Sequence, residues 1–173
     1  MSPEYELEFD LIRNRYYADF RYQFFNRLTK ACVLLGLLLM WIGGYVVNCK
    51  FFSLIIECGG SLLLIVNVVF DFQSSAVFWK NMSDDYSNLY QNFLKEKGSL
   101  NSQAINDFNA QMLEISSKDK NYKRVLSEKA HNSTNHELGC AREYDFDIGW
   151  FKSITANIFS WESGNLRYID KAK

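Results

Sequence analysis

Two almost uninterrupted apolar runs, Ala31 to Val47 and Leu54 to Phe70, stand back to back in a chain of 173 residues that is otherwise polar. Each is about as long as the shortest apolar helix able to cross a hydrocarbon core of ~30 Å. The link Asn48-Cys49-Lys50-Phe51-Phe52-Ser53 is too short to carry a fold of its own, so the two spans are expected to be antiparallel neighbours. The mean hydropathy of -0.19 reflects dilution by the flanks. The competing arrangement is a soluble all-helical domain with the pair buried on every side, which would need polar helices wrapped around all of it. A cleaved signal peptide is not expected, because the first run begins roughly thirty residues in and a second follows at once.

Charge near the spans predicts their orientation. Arg13, Arg15, Arg21, Arg27 and Lys30 precede the first run, Lys80 follows the second, and the link holds only Lys50, so both termini should be cytoplasmic. The expected location is a bacterial inner membrane, crossed twice. Cys32 and Cys58 sit in the spans, Cys49 in the elbow and Cys140 in the tail, which gives no obvious disulfide framework. Cys49 could still cross-link two copies. A net charge of -1 with a pI of about 6.1 provides no basic stripe, so no nucleic-acid partner is expected. The aromatic content of 16% gathers near the span ends, where interfacial belts form.

The flanks read as helices. Ser2 is an N-cap candidate with Pro3 at the first helical position and Glu4 and Glu6 near the positive end of the dipole. No breaker follows before the membrane, and Phe9, Ile12, Tyr16, Phe20, Phe24 and Leu28 recur at helical spacing. Beyond the second span, Phe72, Trp79, Met82, Tyr86, Leu89 and Phe93 continue the pattern to Gly98, so that span is predicted to extend without interruption. A third amphipathic segment holds Ile105, Phe108, Met112 and Ile115. After a charged connection over 116–123, Val125 to Leu138 reads as a short polar helix stopped by Gly139. The tail places Ile148, Phe151, Ile154, Ile158 and Trp161 at helical spacing, either completing the bundle or lying on lipid headgroups with Trp150 and Trp161 at the interface. The predicted chain is all-α: a cytoplasmic amphipathic helix over 1–30, a two-span transmembrane hairpin over 31–70, a cytoplasmic helical bundle over 71–139 and an aromatic helical tail over 140–173.

Within the hairpin, Ser53, Glu57, Gly60, Ser61, Asn67, Asp71 and Ser74 fall on one helical stripe, with Leu64 as its one interruption. Intramembrane polar groups are costly and face protein or water. The stripe can therefore pack on Gly36 and Gly43, small residues that permit close approach, or line a pore or gated seam in an oligomer. Glu57 lies about one turn, ~6 Å, from the outer end of its span and could reach water by snorkelling. Catalysis has little support. There is no phosphate loop, nucleophile elbow or Cys-x-x-Cys pair. His131, His136, Glu137 and Cys140 superficially suggest a metal cluster, but the order His-x4-His-Glu is not the zinc-protease pattern. The plainer reading gives Asn132, Asn135 and Gly139 local backbone work at a helix end. No catalytic residue, metal or cofactor is expected, and Asn81 and Asn132, both in Asn-x-Ser/Thr sites, would face the cytoplasm, where glycosylation has no meaning.

Asn14-Arg15-Tyr16-Tyr17-Ala18-Asp19-Phe20-Arg21 on the helix entering the hairpin, the Trp79-bearing helix, and Ala130-His131-Asn132-Ser133-Thr134-Asn135-His136-Glu137-Leu138-Gly139 together resemble the SLATT family. The resemblance runs through Gly139 and leaves the aromatic tail outside it. It implies a prokaryotic two-span, oligomeric membrane effector of antiphage conflict systems, working beside nucleotide-sensing or nucleotide-making partners and breaching the inner membrane once a sensor fires. This sequence has no sensor domain, so a separate sensor protein or a nucleotide signal is the expected trigger. The expected function is a triggered permeabilising effector that forms homo-oligomers in the lipid bilayer. The alternative is a non-conducting scaffold that recruits a cytoplasmic partner through its bundle, with a phage-type holin a more distant third.

Overall fold

The computed structural model describes residues 2–45, 50–141 and 144–161; elbow residues 46–49, Cys49 among them, lie outside these, as do 142–143 and 162–173. Every element among the described residues is a helix: α1 (Pro3–Tyr45), α2 (Lys50–Val69), α3 (Phe72–Glu96), α4 (Ser102–Ser116), α5 (Arg124–Glu137) and α6 (Trp150–Thr155). Ser2 starts α1 as its sequence suggests, accepting the Tyr5 amide on Oγ at 3.3 Å. Asn101 caps α4 through the Ala104 amide at 2.8 Å. The glycine turns fall at Gly98 and Gly139, with φ of 87° and 70°, the left-handed region that costs glycine least.

The second span does not run on into the next helix. Asp71 adopts φ 45°, and its carboxylate accepts the Ser74 amide at 3.2 Å, so it ends α2 and caps α3. Aspartate tolerates this conformation because its short side chain bonds the local backbone. Asp71 and Ser74 therefore leave the polar stripe and do capping work.

The chain divides into two units, residues 22–78 and residues 1–21 with 79–173. The divisions fall earlier in α1 and later after α2 than the boundaries at 30 and 71 expected from the apolar runs. Arg21 and Trp79 belong to the bundle unit, with the guanidinium 4.8 Å from the ring centre. In the hairpin unit, Phe25 and Phe72 approach each other at 6.4 Å.

In the hairpin unit, α1 and α2 are long and apolar enough to cross a membrane, and only 17% and 6% of their most apolar stretches are buried. The core helix of a soluble domain would be mostly buried. The outward positions are apolar, among them Leu34, Leu38, Leu54, Leu62 and Val69.

The bundle unit is organised around Leu7, Leu11, Leu89, Phe93 and Phe108, with Ile105, Met112 and Ile115 packed against them. The stripe read on α4 faces this core, as do Leu89 and Phe93 of the one read on α3; Trp79, Met82 and Tyr86 of that stripe are buried as well, while Phe72 belongs to the hairpin unit. On α1 the buried face differs from the predicted one: Leu7, Leu11, Ile12, Tyr17 and Ala18 are enclosed, together with Glu8 and Arg21. Phe9 and Phe20 instead meet α5, through His131 at 4.9 Å and Lys129 at 4.9 Å. This helix is flanked on two sides, so a single stripe could not describe it. The short polar helix α5 is among the most buried elements, enclosing Val125, Leu126, Ser127, Glu128, Ala130, Thr134 and Asn135. The tail is helical only over Trp150–Thr155 among the described residues, less than its spacing suggested.

Candidate functional site

The hairpin seam is built from backbone contact. A Cβ placed on Gly60 would lie 2.6 Å from the Gly36 carbonyl oxygen, and one placed on Gly36 would lie 3.0 Å from the Gly60 oxygen and 2.9 Å from Leu64. Leu64, the apolar interruption in the stripe, thus covers Gly36. Further along, a Cβ on Gly43 would meet Glu57 Cγ at 2.7 Å and the Ser53 carbonyl at 3.1 Å. The Ser53 hydroxyl lies within donating distance of the Gly43 carbonyl, 2.6 Å, and of Glu57 Oε1, 2.9 Å. Ser53, Glu57 and Gly60 are brought onto Gly36 and Gly43. Ser61 and Asn67 are half-buried on the same side of α2, and Asn67 Oδ1 is buried with no hydrogen-bond partner among the described residues. By contrast, a Cβ on Gly59 would meet nothing within 4 Å.

In the bundle unit, two of the three stretches that carry the family resemblance, Asn14–Arg21 and Ala130–Gly139, meet each other. Arg15 donates to Glu137 Oε2 at 2.5 Å, with its guanidinium over the rings of Tyr16 and Tyr90 at 5.2 and 5.5 Å. Two residues on, the Tyr17 hydroxyl donates to Asp119 at 3.1 Å and accepts the Lys123 amide at 2.9 Å, while its ring stacks on Tyr122 and meets Trp79 edge-on. Burial pushes the Tyr17 phenol well up from its ordinary range. Arg21 donates to the Asn157 carbonyl at 3.0 Å, and burial pulls its pKa down.

Asn132 and Asn135 do more than finish a helix. The Asn132 amide brackets Phe146, donating to its carbonyl and accepting its amide, both at 2.8 Å. Asn135 donates to the Tyr144 carbonyl and to Asp145 Oδ1, both at 3.0 Å. Asp145 Oδ2 lies 3.1 Å from His136 Nε2. The same helix that Gly139 ends therefore clamps the segment that follows. Sequence offered one signal for this, the spacing of the two asparagines by three residues, which puts both on one helix face.

The metal-like set diverges. His131 is wedged between Phe9 and Phe146, at 4.9 and 5.0 Å, His136 goes to Asp145, Glu137 to Arg15, and Cys140 Sγ to the Tyr5 hydroxyl at 3.2 Å. Among the described residues no three metal-ligating side chains come together. Within the same unit a cavity of about 440 Å³ is lined by Asp10, Arg13, Tyr17, Tyr86, Asp119 and Tyr122, among others. It falls in the size range of small-molecule sites, and Asp10 and Arg13, neighbours on α1 along one wall, pair at 3.1 Å. No family model, curated protein or solved structure matches the chain.

Proposed function

We propose that this chain is a membrane effector: a two-span hairpin that forms homo-oligomers in the bilayer, stays sealed while its polar seam is shut, and permeabilises the membrane when the seam opens on a signal received by the bundle. One observation carries the reading, the inverted polarity of the hairpin. Ser53, Glu57 and Gly60 lie inward on Gly36 and Gly43, while Leu34, Leu54 and Leu62 lie outward. A simple anchor needs no hydroxyl, carboxylate or carboxamide between its helices, and burying such groups costs free energy unless they are partnered. Asn67 Oδ1 has no partner among the described residues. Turned toward the axis of an oligomer, the same face would offer water a polar path. The Arg and Lys excess before the hairpin supports cytoplasmic termini in a bacterial inner membrane. The SLATT resemblance supports a role in antiphage defence with a separate sensor protein or nucleotide as trigger.

A non-conducting scaffold is the second reading. The Ser53 to Gly43 hydrogen bond and the Gly36 and Gly60 contact favour it, since a permanently closed hairpin would use both. Ion flux in proteoliposomes, measured with the native trigger or partner supplied, separates the two. In a pore, a ring of Glu57 concentrates cations, so Glu57→Gln should lower cation preference and Glu57→Lys should disfavour cations. A scaffold gives no flux for either change to modify.

A further inference from the structure

The described tail carries a face that its own packing leaves uncovered. Ala156 is fully buried, Arg21 holds the Asn157 carbonyl, Lys123 Nζ donates to Ser160 Oγ at 2.8 Å, and Trp161 Nε1 donates to Thr155 Oγ1 at 3.0 Å. These ties fix the segment while leaving Trp150, Phe151, Ile154, Ile158 and Phe159 between 52% and 75% exposed. Single apolar side chains are ordinary on a soluble surface, but a contiguous run of large ones marks a contact site.

Two observations identify the occupant as a lipid surface. The set combines Trp and Phe with Ile, the mixture that partitions to the boundary between headgroups and acyl chains. Lys152 belongs to the same short helix as Trp150, Phe151 and Ile154, and Lys123 is tied to the end of the segment through Ser160. Asp147 is the one exposed acid over 144–161, Asp145 being buried against Asn135 and His136, so the charge suits anionic headgroups.

We infer that the face formed by Trp150, Phe151, Ile154, Ile158 and Phe159 is an interfacial contact that seats on an anionic lipid surface. The inference rests on the hairpin being in the membrane. Its consequence is a second attachment of the bundle to the bilayer, independent of the hairpin, through a segment clamped by Asn132, Asn135 and Arg21.

The test uses the full-length protein in phosphatidylglycerol-containing vesicles, with the photo-crosslinker p-benzoylphenylalanine replacing Phe151, Leu62 on the outer face of the hairpin, or exposed Gln103 of α4. Lipid adducts are expected at 62 and 151, with none above background at 103. Lys152→Glu should reduce the yield at 151 several-fold and leave that at 62 unchanged. Lipid capture at 62 with only a second copy, or nothing, captured at 151 overturns the inference and leaves the hairpin in the membrane. No capture at 62 overturns both.

Discussion

In the hairpin unit the enclosed positions among the described residues are Cys32, Gly36, Gly43, Gly60 and Ala76, all small, and leucines face outward; in the bundle unit Leu11, Ile12, Phe93 and Leu126 are among those enclosed, and ion pairs such as Lys80 with Asp84 and Lys118 with Asp85 lie outside. The two units bury opposite kinds of residue, as different surroundings require if the hairpin lies in lipid as proposed above. In water, removing apolar area stabilises a fold by roughly 25 cal/mol per Å². In lipid that drive between helices vanishes, and close backbone approach with interhelical hydrogen bonds takes its place. Glycine is therefore the core residue of one unit and a turn residue, at Gly98 and Gly139, of the other.

Adjacent glycines give the sharpest way to break this comparison. Gly60→Leu must separate the helices or displace Gly36, whose carbonyl would lie 2.6 Å from the new Cβ, whereas Gly59→Leu enters open space. The first should change or abolish the detergent-solubilised assembly in size-exclusion chromatography with light scattering, and the second, like Leu38→Ile, should leave it intact. Identical particles for Gly60→Leu and Gly59→Leu would show that the seam is not where the helices pack.

The bundle should respond to polar deletions instead. Asn132→Ala removes both hydrogen bonds to Phe146, a loss of about 2 kcal/mol at roughly 1 kcal/mol each. Limited proteolysis should then cut between Gly139 and Trp150 faster than in the wild type, and unchanged cutting would mean that the clamp does not hold the tail. A smaller loss, about 1 kcal/mol, is expected for Lys97→Ala, which leaves the buried Glu8 carboxylate without the ammonium that meets both its oxygens at 2.7 Å. Lys97 is itself half-exposed, which limits the effect. Urea midpoints should show Glu8→Gln restoring part of that loss in the double variant.

The smallest effect concerns pH. Burial between Phe9 and Phe146 pulls His131 below its ordinary range, aided by Arg13 and opposed by the Tyr144 carbonyl, Asp145 and Asp10. The folded state prefers the neutral ring, so the unfolded chain takes up the proton first as pH falls through ~6.5. Stability should be lost on acidification below that point, by less than about 1 kcal/mol. His131→Phe should flatten the difference between midpoints at pH 7.5 and pH 5, and an unaltered slope would assign it elsewhere.

Much of this contrast is legible in the sequence. Ser2 and Pro3, Asn101, Gly98 and Gly139 mark helix ends through local chemistry, and the apolar runs mark the spans through length. The Asp71 break was hidden because aspartate can cap as readily as it can sit on a polar stripe. The depth of α5 was hidden for a different reason: Thr134 and Asn135 become buried only through partners at Ala130, Tyr144 and Asp145, and a polar side chain does not announce its partners. The meeting of Arg15 with Glu137 spans most of the chain, beyond any spacing rule.

The central claim, that a shut polar seam keeps the hairpin sealed, is tested most directly by ion flux from proteoliposomes bearing Gly60→Leu, with Gly59→Leu as the matched control. Inserted, oligomeric Gly60→Leu should leak without any trigger, while Gly59→Leu and wild type stay sealed. Gly60→Leu that inserts and oligomerises yet remains as tight as wild type would contradict the account.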